Sequence, residues 1–129
     1  MQIPQIAALL FVAASCVVCA FQIALALGAP WGELTLGGRW RGSLPLAVRL
    51  IPLLSVVLLV CFCAVVLARA NVALPQYGSL SRTLVWFVVG CCTLGSIANA
   101  ATPSKRERKL WLPVVLMMLA SSLVVAIAE

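Results

Sequence analysis

The residues best suited by type to do chemistry are six cysteines in three pairs: Cys16 with Cys19, Cys61 with Cys63, and Cys91 with Cys92. A C-x-x-C spacing suits a redox dithiol, and thiolates suit soft metal ions. Cys16 and Cys19 are therefore the candidates for a thiol oxidoreductase or a soft-metal carrier. Either chemistry needs a thiolate that a water-borne partner can reach. All three pairs fall near the middle of long apolar runs, where cysteine packs as a small hydrophobe and stays unreactive. Adjacent Cys91 and Cys92 on a helix also point about 100° apart and do not easily bond each other. The favoured reading is that all six are packing residues, with no metal and no cofactor. The chain has no histidine, which removes the commonest proton carrier and metal ligand. It has no serine–histidine or paired-carboxylate arrangement within its apolar runs, so an enzyme is not expected.

Two amides are the next candidates. Ser15, Cys19, Gln22 and Ala26 share one face of the first apolar run, and Cys92, Gly95, Ser96 and Asn99 share one face of the third. Small residues let helices approach closely, and amides bond across such contacts. The two faces are expected to meet. Gln22 and Asn99 then serve as helix–helix glue, the plainer reading, or line a small polar pocket for a transported or carried molecule. Multidrug exporters of similar size use a carboxylate inside the first helix. This first helix has none, so proton coupling of that kind lacks its carrier.

The third group gathers in two short stretches: Trp31, Glu33, Arg39, Trp40, Arg41 and Arg49, then Glu107, Arg108 and Trp111. Glu33 and Glu107 are the only acids besides Glu129. An arginine a turn inside a helix snorkels to headgroups or finds a carboxylate. The expectation is that Glu33 or Glu107 pairs with Arg49 or Arg108 and pins one stretch to the other. The alternative is that each charge meets water or lipid phosphate alone.

The elements that must position these residues follow from composition. The chain is 64% hydrophobic and 9% charged, far below the roughly 25% charged of a soluble domain. It cannot cover itself with polar surface, so its solvent is lipid. Runs at 5–27, 46–68, 79–101 and 110–128 each suffice for the roughly 20 helical residues that cross a bilayer. None alternates polar with apolar side chains, which excludes strands. The fold class is all-α: one domain over residues 1–129, an antiparallel bundle of four transmembrane helices. The first run resembles a signal peptide in its Ala24-Leu25-Ala26, but it is too long and lacks a basic flank, so it is read as a retained helix.

The net charge of +6 comes without a nucleic-acid motif, so no nucleic-acid partner is expected. The cations instead orient the helices and touch anionic headgroups. Arg39, Arg41, Arg49, Lys105, Arg106, Arg108 and Lys109 flank the first and third connections, against Arg69 and Arg82 at the second. That bias puts loops 28–45 and 102–109 in the cytoplasm and both termini outside. Trp31, Trp40 and Trp111 fall at the same interface and Tyr77 at the other, while Trp86 is expected between helices. Ser79 and Ser81 are expected to cap the third helix. Ser104 with Glu107 forms an S-x-x-E capping box for the fourth. Pro113 then falls in the first turns of the fourth helix, and Pro52 bends the second slightly.

The first connection is long for a helical hairpin. Its Trp31, Leu34, Leu36, Trp40 and Leu44 suit no solvated linker, and Gly28, Gly32, Gly37, Gly38 and Gly42 permit tight turns. It is expected to fold back as an interfacial lid.

The combination Gly28-Ala29-Pro30-Trp31-Gly32, Gly37-Gly38, Leu44-Pro45 and Arg49, followed by Asn99, Ser104, Glu107-Arg108, Trp111 and Pro113, resembles a family of small four-helix bacterial membrane proteins of unassigned function. The resemblance implies a multi-pass protein of a bacterial inner membrane and brings no activity with it. The expected function is a non-enzymatic membrane protein whose 28–49 and 102–111 segments bind lipid or a membrane-protein partner, with a homo-oligomer among the candidates. The carrier and thiol readings stand as alternatives.

Overall fold

The computed structural model describes residues 1–128. Four long helices account for most of them: α1 (Ile3–Ala26), α2 (Leu50–Arg69), α3 (Gly78–Ala101) and α4 (Lys105–Ile127). All four are long and apolar enough to cross a membrane. No strand occurs among the described residues.

The outward faces are apolar. Leu54, Val57 and Val60 of α2 and Phe87, Leu94 and Ile97 of α3 are all exposed. A water-soluble bundle would put polar side chains there, so the girdle is the surface that lipid covers. Trp86 belongs to it: it is 50% exposed rather than packed between helices.

The helices form a ring in which α1 touches α2 and α4, and α3 touches α2 and α4. The expected meeting of α1 with α3 is therefore corrected. They stand across the diagonal: short connections make α3 a neighbour of α2 and α4, the first connection folds back so that α1 and α2 also meet, and the ring closes from α4 back to α1. The core is built from small and branched side chains, with Ala7, Ala8, Phe11 and Ala14 of α1 against Phe62, Val66, Val85, Val88 and Val125. At one end Arg69 donates to the carbonyl of Ala128, tying the end of α2 to the end of α4.

Local chemistry sets the helix ends. Gly28 stands at φ 103 just past α1. Its N–H donates to Leu25 O at 3.1 Å and that of Ala29 to Ala24 O at 2.9 Å, a Schellman closure that only glycine enters easily. Helix α2 begins at Leu50, later than the apolar run suggests. Residues 46–49 instead form a turn in which Val48 and Arg49 donate to Pro45 O. Pro52 then sits in the first turn, where its missing N–H has no partner to lose, so no bend is needed.

Neither Ser79 nor Ser81 caps α3, whose N-cap is Tyr77. Ser81 Oγ donates back to Gly78 O at 2.7 Å. Helix α4 starts at Lys105 because Ser104 Oγ accepts the Glu107 N–H at 3.2 Å. The capping box is only half made: the Ser104 N–H goes to Thr102 Oγ1 at 3.3 Å, and the Glu107 carboxylate turns elsewhere. The early start also leaves Pro113 in the body of α4 rather than in its first turns.

Candidate functional site

Residues 28–49 fold over the end of the bundle formed by the end of α1, the start of α2 and the start of α4. Two single 3-10 turns, Gly32–Leu34 and Leu36–Gly38, give this lid its shape. Its tightest point is Gly32, whose N–H donates to Gly42 O at 2.8 Å. A Cβ on Gly32 would lie 2.3 Å from Trp40 O and 2.7 Å from Gly42 O, so no other residue fits without moving backbone.

The lid is latched to α4 by four polar contacts. Gly37 N–H donates to Glu107 Oε2 at 3.0 Å. Ser104 Oγ donates to Glu33 O at 2.9 Å. Arg106 Nη1 meets Glu33 Oε1 at 3.0 Å. Trp111 Nε1 donates to Leu34 O at 3.0 Å. Beneath them lies a small apolar cluster of Phe21, Leu25 and Leu44, with Leu34, Trp40, Val48 and Trp111 packed on it. Phe21 is tilted against Trp111 at a ring distance of 4.5 Å and stacked on Trp31 at 6.1 Å.

The charged residues thus come together, with partners other than those expected. Glu33 pairs with Arg106, not with Arg49 or Arg108. Glu107 forms no ion pair among the described residues and takes a backbone N–H instead. Arg49 folds back on its own loop, its Nε donating to Leu44 O at 2.9 Å and its guanidinium lying beside Gly28. Arg108 Nη2 donates to Thr102 O at 3.0 Å. In each case an arginine prefers a nearby carbonyl at a loop end to a distant carboxylate, which needs no long-range ordering of a flexible side chain. Arg39 lies over the Trp40 ring at 5.0 Å. Arg41 sits with Glu33, Lys105 and Arg106 around a shallow polar recess on the outer side of the lid.

Under the lid is a cavity of about 600 Å³. Gln22 of α1, Asn99 of α3 and Glu107 of α4 all line it, so the two amides face one space from opposite sides of the ring. Most of the remaining wall is apolar: Val18, Phe21 and Leu25 of α1, Leu34, Leu36 and Leu44 of the lid, Ile51 and Leu59 of α2, and Trp111, Val114 and Met118 of α4. The lining from α1 and α4 is mostly buried or half-buried, whereas Ile51 is 44% exposed, Leu36 is 36% exposed and Ala98 and Ala101 are also exposed. The cavity therefore opens sideways, between the start of α2 and the end of α3.

The polar atoms left facing this cavity include at least two free acceptors, one of them on a carboxylate. Asn99 Nδ2 is used on Gly95 O at 2.8 Å, which leaves Oδ1 free. Glu107 is only 8% exposed, and among the described residues no donor reaches its Oε1, which keeps an open face. Gln22 has no hydrogen-bond partner among the described residues, so its amide presents both a donor and an acceptor.

None of the cysteines lines this space. All six are free thiols; Cys16 and Cys61 are exposed on the outer surface, Cys19 is half-buried and Cys92 is buried. Among the described residues no three metal-ligating side chains gather closely enough to hold an ion.

Phe21, Thr35 and Met118 line the site without having been singled out in the sequence. Phe21 alone carries a signal, as an aromatic ring next to Gln22 at the lid end of α1. No matching family model, curated protein or solved structure is found for the chain.

Proposed function

We propose that this protein is a membrane-embedded binding protein or carrier for a small, largely apolar molecule held beneath the lid. The observation that carries this reading is the convergence of Gln22, Asn99 and Glu107, from three different helices, on one cavity of about 600 Å³. That volume lies within the roughly 300–1,000 Å³ of small-molecule sites, and a mostly apolar wall with a few polar atoms is their usual composition. Plain helix–helix glue would put the two amides against a neighbouring helix, not around an open space.

The protein sits in a bacterial inner membrane with the lid in the cytoplasm and both termini outside, as the excess of lysine and arginine at the lid end favours. The recess around Arg41, Lys105 and Arg106 rests against anionic headgroups there.

The test uses 1-adamantanol, a compact neutral apolar probe, with the protein in nanodiscs and binding followed by ligand-observed NMR. Saturable binding above that of empty nanodiscs is expected. Gln22→Leu with Asn99→Leu should weaken it roughly tenfold, the loss of one to two buried hydrogen bonds. A probe that partitions equally into empty and loaded nanodiscs would sink the carrier reading.

A further inference from the structure

We infer that the ligand of this cavity is a lipophilic amine in its protonated form, which reaches Glu107 from the lipid through the gap between α2 and α3. The inference rests on the carrier reading and adds the charge, the hydrogen-bonding class and the route.

Three observations carry it. The first is charge: among the described residues Glu107 is the only ionisable side chain in the cavity wall, although the lid end carries seven cations. Arg41, Lys105 and Arg106 surround the outer recess instead, while Arg49 and Arg108 are held on carbonyls. An anionic ligand inside the cavity would meet a carboxylate and no counter-ion, whereas an ammonium would find one.

The second is hydrogen bonding. Glu107 Oε1 and Asn99 Oδ1 are free acceptors on the adjoining helices α4 and α3. The identity of the free Asn99 atom follows from its partner: Gly95 O can only accept, so the amide nitrogen must point to it and the oxygen must point away. A carboxylate oxygen and an amide oxygen left free close together favour a ligand that brings several N–H donors on a cation.

The third is the mouth. Ile51, Ala98 and Ala101 are both cavity lining and lipid-facing surface. The lid is latched over the polar end, so the direct path for an apolar molecule runs sideways from the bilayer.

The experiment compares three isosteres on the full-length protein in nanodiscs: 1-adamantylammonium, 1-adamantanol and adamantane-1-carboxylate. In the wild type the ammonium should bind roughly tenfold or more tighter than the alcohol, and the carboxylate weakest. Glu107→Gln keeps an oxygen for the Gly37 N–H and removes the charge. It should abolish the ammonium preference, so that ammonium and alcohol then bind within about twofold of each other. Alcohol binding with no ammonium preference, or a preference that survives Glu107→Gln, overturns this inference while the cavity reading stands. Failure of all three probes overturns both.

If Glu107→Gln does not fold, Gln22→Glu adds a carboxylate to the α1 wall, at a side chain with no hydrogen bond to lose among the described residues, and should widen the preference; no widening overturns the inference. Ala98→Trp at the mouth should slow ammonium association several-fold. Unchanged association places the route elsewhere.

Discussion

Glycine 32 shows how strictly single residues set the lid. A methyl group there would collide with two carbonyl oxygens on the far side of the loop, both backbone atoms that cannot rotate away. Gly32→Ala is expected to destabilise the lid by on the order of 1–3 kcal/mol, the range for overpacking a tight site. Gly90, in the body of α3, has open space within 4 Å of where a methyl group would stand. Gly90→Ala should be neutral or stabilising by up to ~1 kcal/mol. Thermal unfolding in nanodiscs measures both, and equal effects would refute this account of the loop. At the same scale the Glu33–Arg106 pair contributes little, because both side chains are well exposed and such pairs are worth under about 1 kcal/mol. The lid is held chiefly by the less exposed hydrogen bonds and by the stacking of Trp31 on Phe21.

Helix ends are less legible in the sequence than helix bodies. Apolar runs mark four spans within a few residues, because lipid demands an unbroken hydrophobic stretch wherever a helix crosses it. The starts of α2 and α4 depart from those runs in opposite directions. The turn of residues 46–49 is apolar enough to pass for helix, and residues 105–109 are too charged to pass for a span, yet Ser104 begins the helix before them. Ser104 has two tasks: it caps α4 through the Glu107 N–H and donates to Glu33 O in the lid. Ser104→Ala should therefore fray α4 and loosen the lid together. A cap is worth about 1 kcal/mol, and roughly fivefold faster trypsin cleavage at the exposed Arg39 and Arg41 should report the opening. Unchanged cleavage would mean that the latch does not depend on this residue. Partners of long charged side chains, Arg49 above all, are not legible, because a flexible chain picks its acceptor from tertiary neighbours that no sequence spacing displays.

For the molecule as a whole, two things are written plainly in the sequence: a lipid-facing exterior, and polar equipment gathered at one end. The cavity is only hinted at, through Gln22 and Asn99, since an unfilled space is a property of how four helices close and leaves no local mark. Their faces view one another across the ring instead of touching. The orientation has a direct test in a cysteine-free background. Ser43→Cys in the lid should be shielded from an impermeant maleimide added outside intact cells, and Gln76→Cys in the opposite loop should react. The reverse pattern would invert the molecule and carry the mouth of the cavity to the other leaflet.

All four polar contacts that latch the lid run to α4 or its cap, and the rings beneath it belong to α1 and α4. None of the four runs to α2 or α3. Of the four seams in the ring, the one between α2 and α3 is the most lightly packed, and it lies away from the latch. Loosening that seam would disturb none of the contacts that seat the roof, so side entry and an intact latch are compatible in one structure.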